Sequence, residues 1–212
     1  MSGAKRAGRA TKGTGRNRAA AATKDARSEP KRAETALLIV DMINLLDFPE
    51  GRQLLEQALP AARRIAALKR RLKAAGVPVI YVNDNFTHWH SEFREIVAMC
   101  SAESSLGAPL TAELAPEEDD YTVLKPRHSA FFATPLAILL EQLGVRRTII
   151  TGVAGDACVL ASATDAHVRG LEVVVPADCV ASITAERNVN ALTLMKSSMR
   201  LDIRNSRSIR VG

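Results

Sequence analysis

Cysteine is scarce: Cys100, Cys158 and Cys179 are the only three in 212 residues. The number is odd, the spacing is wide and no Cys-x-x-Cys pair occurs, which excludes a disulfide framework and the usual cysteine metal patterns. A reducing, cytoplasmic setting is the expectation. No apolar run approaches the ~20 residues needed to span a bilayer. The N-terminus carries no apolar stretch of the kind that marks a secretory signal, so no membrane partner is expected. No internal repeat is found. Basic charge is also missing where a nucleic-acid-binding surface would need it. Residues 1–34 hold ten Lys or Arg against three acids, so the net charge of +6 sits there and the rest of the chain is close to neutral. Nucleic acid is therefore an unlikely partner, apart from weak attraction of that segment to polyanions.

What is present suits one domain. The length is ample for a single core and short for two, and 47% of residues are hydrophobic. Residues 1–34 are rich in Ala, Gly, Lys, Arg, Ser and Thr and nearly free of large apolar side chains. They cannot bury enough surface to offset their ordering entropy and are expected to be a disordered basic tail. Residues 35–212 form the predicted domain.

Within it, short apolar runs alternate with helical spacing. Thr35–Val40 is a continuous apolar run ending in Asp41, as expected of a central parallel strand. The segment 52–75 reads as a helix with Pro60 in the first turn of its main part, Ile65, Leu68 and Leu72 on one face, and Gly76 at its C-terminal end. Residues 77–82 and 121–125 are further strands, the second ending in Lys125. Between them, residues 86–120 form a long irregular excursion, a candidate lid or pocket wall. A helix over 135–143, begun by Thr134 and ended by Gly144, leads to a β-branched run, 147–151. Residues 171–176 are another strand, 185–199 a helix, and 203–211 an edge strand. The prediction is an α/β protein: a three-layer α-β-α arrangement around a six-stranded, mainly parallel, Rossmann-like sheet.

The stretch Thr151–His167 joins a strand to a helix through small residues and sets Cys158 where the helix begins. A thiol there is expected to have a lowered pKa, because free N–H groups and the helix dipole favour the thiolate. The same spacing also suits a cysteine packed as a small hydrophobe. Asp41 and Lys125 stand at the ends of two other strands, at the edge where open α/β sheets build their sites. A carboxylate to take a proton, an ammonium to steady charge and a thiol to attack make a chemically sensible set. Each alone has a blander reading as a turn former, a solvated lysine or a packed thiol. Three together point to a site.

These pieces resemble the isochorismatase-like cysteine hydrolase family, which includes nicotinamidases, N-carbamoylsarcosine amidohydrolase and isochorismatases. The matching stretches are Leu37–Asn44, Val123–Pro126 with Ser129–Phe131, Thr151–Val159, Ala163–Ala166 and Arg169–Gly170. The resemblance spans residues 35–200. It implies a catalytic triad of Asp41, Lys125 and Cys158, a cis peptide at Val153–Ala154, and an oxyanion hole from the backbone N–H groups of Ala154 and Cys158. Cys158 would attack a carbonyl carbon, and Asp41 would serve as base for the thiol and again for the hydrolytic water. A substrate pocket is expected from Asn44, Phe48, Asn85, Trp89 and Phe131. The family's nicotinamidases hold a metal through an Asp-x-His pair. Here that place reads Asp84-Asn85-Phe86, so neither a metal nor any other cofactor is expected, although Asp84 with His88 and His90 is a conceivable alternative. The resemblance thus implies C–N hydrolysis of a small amide, carbamoyl or ureido compound by a homo-oligomer, a dimer or tetramer. Vinyl-ether hydrolysis and a non-catalytic binding or scaffold role are the alternatives.

Overall fold

The computed structural model describes residue 3, residues 32–85 and residues 92–210. The expected basic tail lies almost wholly outside the described residues, as do Phe86, His88, Trp89 and His90. Residues 33 and 34 are tied to the domain. The N–H of Ala33 donates to Leu143 at 2.8 Å, and the Glu34 carbonyl accepts from Arg146 and Arg147, both at 2.9 Å.

Five parallel strands make one sheet in the order β3-β2-β1-β4-β5. They are β1 (Thr35–Val40), β2 (Val79–Asp84), β3 (Tyr121–Lys125), β4 (Arg147–Gly152) and β5 (Glu172–Val174). Alternate side chains of β1 enter different cores. Leu37 and Ile39 pack with α1 (Gly51–Ala74), α2 (Phe93–Ser101) and α3 (Ala108–Glu113). Leu38 and Val40 pack with α4 (Leu136–Leu143), α5 (Leu160–Val168) and α6 (Ala185–Ser198). A strand covered on both faces must be apolar at every position, which is why β1 reads as an unbroken run. Among the described residues no helix is long and apolar enough to cross a membrane.

Three expectations need correction. The sheet has five strands rather than six. Beyond α6 the chain makes a single bridge, Asp202 to Val174, and then a tight turn at Ser206–Ser208. That turn is held by Asp178, whose carboxylate accepts from the Ser206 N–H at 2.7 Å and from its hydroxyl at 2.8 Å. Side-chain bonds replace a ladder here because Arg204, Asn205, Ser206, Arg207 and Ser208 offer no apolar alternation. Next, Pro60 is interior to α1, not in its first turn. The apolar spacing of Leu54 and Ala58 continues into Ala61, Ala62 and Ile65, so burial carries the helix past the proline. Finally, residues 92–120, expected to be irregular, carry both α2 and α3 and are packed. Phe93, Ile96, Cys100, Leu110 and Leu114 belong to the first core. Lys69 on α1 is buried and pairs with Asp120 at 2.6 Å, while Lys73 holds Asp119 at 2.6 Å and Asp120 at 2.9 Å.

Candidate active site

The strand order reverses between β1 and β4, and in open α/β sheets the crevice beyond the strand ends at that point is where ligands bind. Asp41 follows β1 and Cys158 follows β4, so the two flank it. Asp41 adopts φ 51°, a left-handed conformation that aspartate tolerates better than most residues. The turn after it is fixed by Asn83 on β2, a fully buried side chain that accepts from the Ile43 N–H at 3.2 Å and donates to the Ile43 carbonyl at 2.7 Å. Gly152 ends β4 at φ 115°, where a Cβ would lie 2.0 Å from the Val40 carbonyl oxygen. Only glycine lets β4 lie this close to β1. A cis peptide at Val153–Ala154 follows. One turn of π-helix, Gly155–Val159, then carries Cys158 into α5. Such turns recur at functional sites.

The structure brings Asp41, Lys125 and Cys158 together. The Lys125 ammonium reaches from edge strand β3 across the end of β2, wholly buried, to lie 2.8 Å from the Asp41 carboxylate and 3.5 Å from the Cys158 sulfur. The Asp41 carboxylate also accepts the Asp84 N–H at 2.7 Å and bonds the Cys158 thiol. Burial pushes Asp41 above the usual carboxylate range, against the opposing pull of Lys125. Burial also works against the Lys125 ammonium, but the charges of Asp41, Cys158 and Asp84 outweigh it and hold Lys125 above its ordinary value. The Cys158 thiol is pushed up to about 12, first by burial and then by the neighbouring Asp41 charge, despite Lys125. The lowered thiol pKa expected from a helix N-terminus is thus corrected. In place of a thiol pulled down toward the thiolate there is one pushed up, beside a buried carboxylate that is itself pushed up.

Around Cys158 the neighbouring N–H groups are committed. Gly155 donates to the Ala181 carbonyl at 2.8 Å, Asp156 to the Ser182 hydroxyl at 3.2 Å, and Ala157 and Val159 to the Ala154 carbonyl at 3.0 and 3.1 Å. Of the expected pocket residues, Asn85 is buried at the end of β2, its N–H donating to the Lys125 carbonyl at 3.3 Å. Asn44 caps its own turn by accepting the Leu46 N–H at 2.9 Å. Phe48 is partly exposed and lines a surface hollow with Leu45 and Met99. Phe131 is buried in the second core, against which Cys158 also packs, with the Arg169 guanidinium 5.0 Å from its ring. Trp89 lies outside the described residues. Among the described residues no cluster of His, Cys, Asp and Glu can hold a metal ion, and Asp84 faces the Lys125 ammonium at 3.7 Å. The other members of the alternative set, His88 and His90, lie outside the described residues.

Comparison with known proteins agrees with this architecture. The family model described as Isochorismatase domain matches residues 35–202. The chain belongs to this family. As a member of the isochorismatase family it is similar to the uncharacterized isochorismatase family protein YaaI of Bacillus subtilis, at 39% identity over 84% of this chain and 97% of that one. It is also similar to the ureidoacrylate amidohydrolase RutB of Stutzerimonas stutzeri, at 29% identity over 66% of this chain and 68% of that one. Its fold matches the crystal structure of N-carbamoylsarcosine amidase from Thermoplasma acidophilum with a TM-score of 0.63, at 24% identity, over 84% of this chain and all of that one. The chain is therefore an isochorismatase-like hydrolase with amidohydrolase relatives.

Two groups at this site escaped the sequence reading. Asp84, considered only as a metal ligand, stands beside Lys125 and supplies an N–H to Asp41. His128, on the loop after β3, places Nδ1 3.6 Å from the Cys158 sulfur. Its spacing three residues beyond Lys125 is the only sequence signal, and it is weak, because loop geometry decides where such a side chain points.

Proposed function

We propose that the chain hydrolyses a C–N bond of a small amide, carbamoyl or ureido compound through a thioester on Cys158. The observation that carries this reading is the contact of one buried carboxylate and one buried ammonium with the same thiol. Asp41 takes the thiol proton as the sulfur attacks the carbonyl carbon. A base of raised basicity beside a thiol of raised pKa favours transfer during attack over a standing thiolate. Lys125 keeps the pair oriented and offsets the negative charge passing between sulfur and carboxylate. The carbonyl electrons move to oxygen, and the N–H groups of Ala154 and Cys158 receive that oxyanion. Backbone donors aimed at the developing oxyanion stabilise it without reorganisation. The carbonyl then re-forms, the C–N bond breaks, and Asp41 returns the proton to the leaving nitrogen. Water hydrolyses the thioester. The similarity to a ureidoacrylate amidohydrolase supports a ureido or carbamoyl substrate.

The test is ammonia release from a panel of small amides, carbamates and ureido acids by wild type and Cys158→Ala. Loss of all turnover, with an unchanged circular dichroism spectrum, is expected. A Cys158→Ala protein that still releases ammonia from what the wild type hydrolyses would overturn the assignment of Cys158 as nucleophile.

A further inference from the structure

We propose that His128 is a second catalytic proton carrier, acting in the deacylation half of the reaction; this rests on the reading of Cys158 as nucleophile. Asp41 and His128 approach the sulfur from different surroundings. Asp41 is buried and bonded to Lys125 and the Asp84 N–H. His128 is exposed, and its Nδ1 lies 3.6 Å from the sulfur. A hydrolytic water coming from solvent meets the imidazole first.

The position of His128 is built, although its side chain is exposed. The next residue, Ser129, donates its hydroxyl to Asp165 on α5 at 2.6 Å and accepts the Phe131 N–H at 3.1 Å. The N–H of Ala130 donates to the Ser162 hydroxyl at 2.9 Å, which itself donates to the carbonyl of Cys158 at 2.6 Å. The loop bearing His128 and the turn bearing Cys158 are thus tied together through one serine. That tie fixes the backbone on both sides of the contact, so the imidazole swings from an anchored position within reach of the sulfur.

The step balances with the groups present. A water oxygen attacks the thioester carbon, and the imidazole takes a water proton as the new C–O bond forms. The carbonyl electrons move to oxygen and return as the C–S bond breaks. The departing sulfur takes the proton from the imidazolium, which restores thiol and neutral histidine. Asp41 serves acylation, and His128 serves release.

The test uses p-nitrophenyl acetate, an activated ester that acetylates a reactive thiol and reports each acylation as p-nitrophenolate. Wild type should show a burst of about one equivalent followed by steady turnover. In His128→Gln and His128→Ala the burst should remain while the steady rate falls by roughly 100-fold or more, the scale of one lost general base. Intact-protein mass spectrometry should show acetyl-enzyme accumulating on Cys158 in these variants, which a purely structural role would not produce. Variants that turn over at the wild-type rate, or that lose burst and turnover together, would overturn the assignment. A Cys158→Ala protein that releases p-nitrophenolate at the wild-type rate would overturn the cysteine reading itself, and this step with it.

Discussion

Replacing Lys125 by methionine removes the cation at the centre of the site and keeps most of the side-chain volume. The ammonium is wholly buried, 2.8 Å from an Asp41 carboxylate that is itself buried. At an effective dielectric of ~20 the attraction across that distance is about 6 kcal/mol. Desolvation of both ions offsets much of it, but removing one partner leaves the other buried and uncompensated, at a cost of about 3–5 kcal/mol. At roughly 2–4 °C per kcal/mol for a chain of this size, the melting temperature should drop by about 6–20 °C near neutral pH. The loss should depend on pH. Burial already holds Asp41 above its ordinary value, and without Lys125 it rises further. The folded variant then binds a proton that the unfolded chain releases, so its stability falls as pH climbs from the ordinary aspartate value through the raised one. In the wild type, the contribution of Lys125, whose folded pKa is raised, is complete below the ordinary lysine value and fades only as pH rises through the folded one. The gap between the two proteins should therefore be small near pH 4 and wide near pH 8. Asp41→Asn with Lys125→Met, which removes both charges, should recover more than half of the lost stability while staying inactive. Urea unfolding followed by circular dichroism at the two pH values measures all of this. An equal loss at both, or a double variant no more stable than the single one, would refute the reasoning.

Alkylation of Cys158 by iodoacetamide should be slow at neutral pH and still rising near pH 10, because burial and the Asp41 charge push the thiol up to about 12. Asp41→Asn should speed it at a given alkaline pH, and a wild-type plateau by about pH 8 would contradict that account. Gly152→Ala would set a Cβ 2.0 Å from the Val40 carbonyl oxygen at φ 115°. A loss of at least ~3 kcal/mol is expected, and a thermal melt within the error of wild type would show that the strands separate more easily than the geometry allows. Pro60→Ala should stabilise the protein by up to ~3 kcal/mol, because the proline interrupts α1 on an exposed face; denaturant titration that shows destabilisation would mean its bend is used in packing.

The strands were legible because β1, β2 and β4 are covered on both faces, and that condition writes itself into the chain as short unbroken apolar runs. Asp41 and Lys125 stood out because each places a charge at the strand-end edge of the sheet, where sites form, and both stay buried there. The missing sixth strand was not legible. Residues 203–210 have no apolar alternation, and whether they pair or turn depends on Asp178, 28 residues from Ser206 in sequence. Pro60 misled because local preference places proline at a helix start, while burial of Leu54 and Ala58 extended the helix before it. The burial of Lys69 was not legible because a lysine on a helix is normally solvated, and its partner Asp120 comes from a loop 51 residues away.

The sequence by itself determined the α/β alternation, through local periodicity, and the family, through the resemblance of its motifs. Only the tertiary structure decided that the thiol pKa is pushed up rather than down, since burial and a neighbouring charge act on it in a way that no helix N-terminus reveals. It also decided that His128 touches the sulfur, since a contact across 30 residues is set by how two loops are tied, and that tie runs through Ser162.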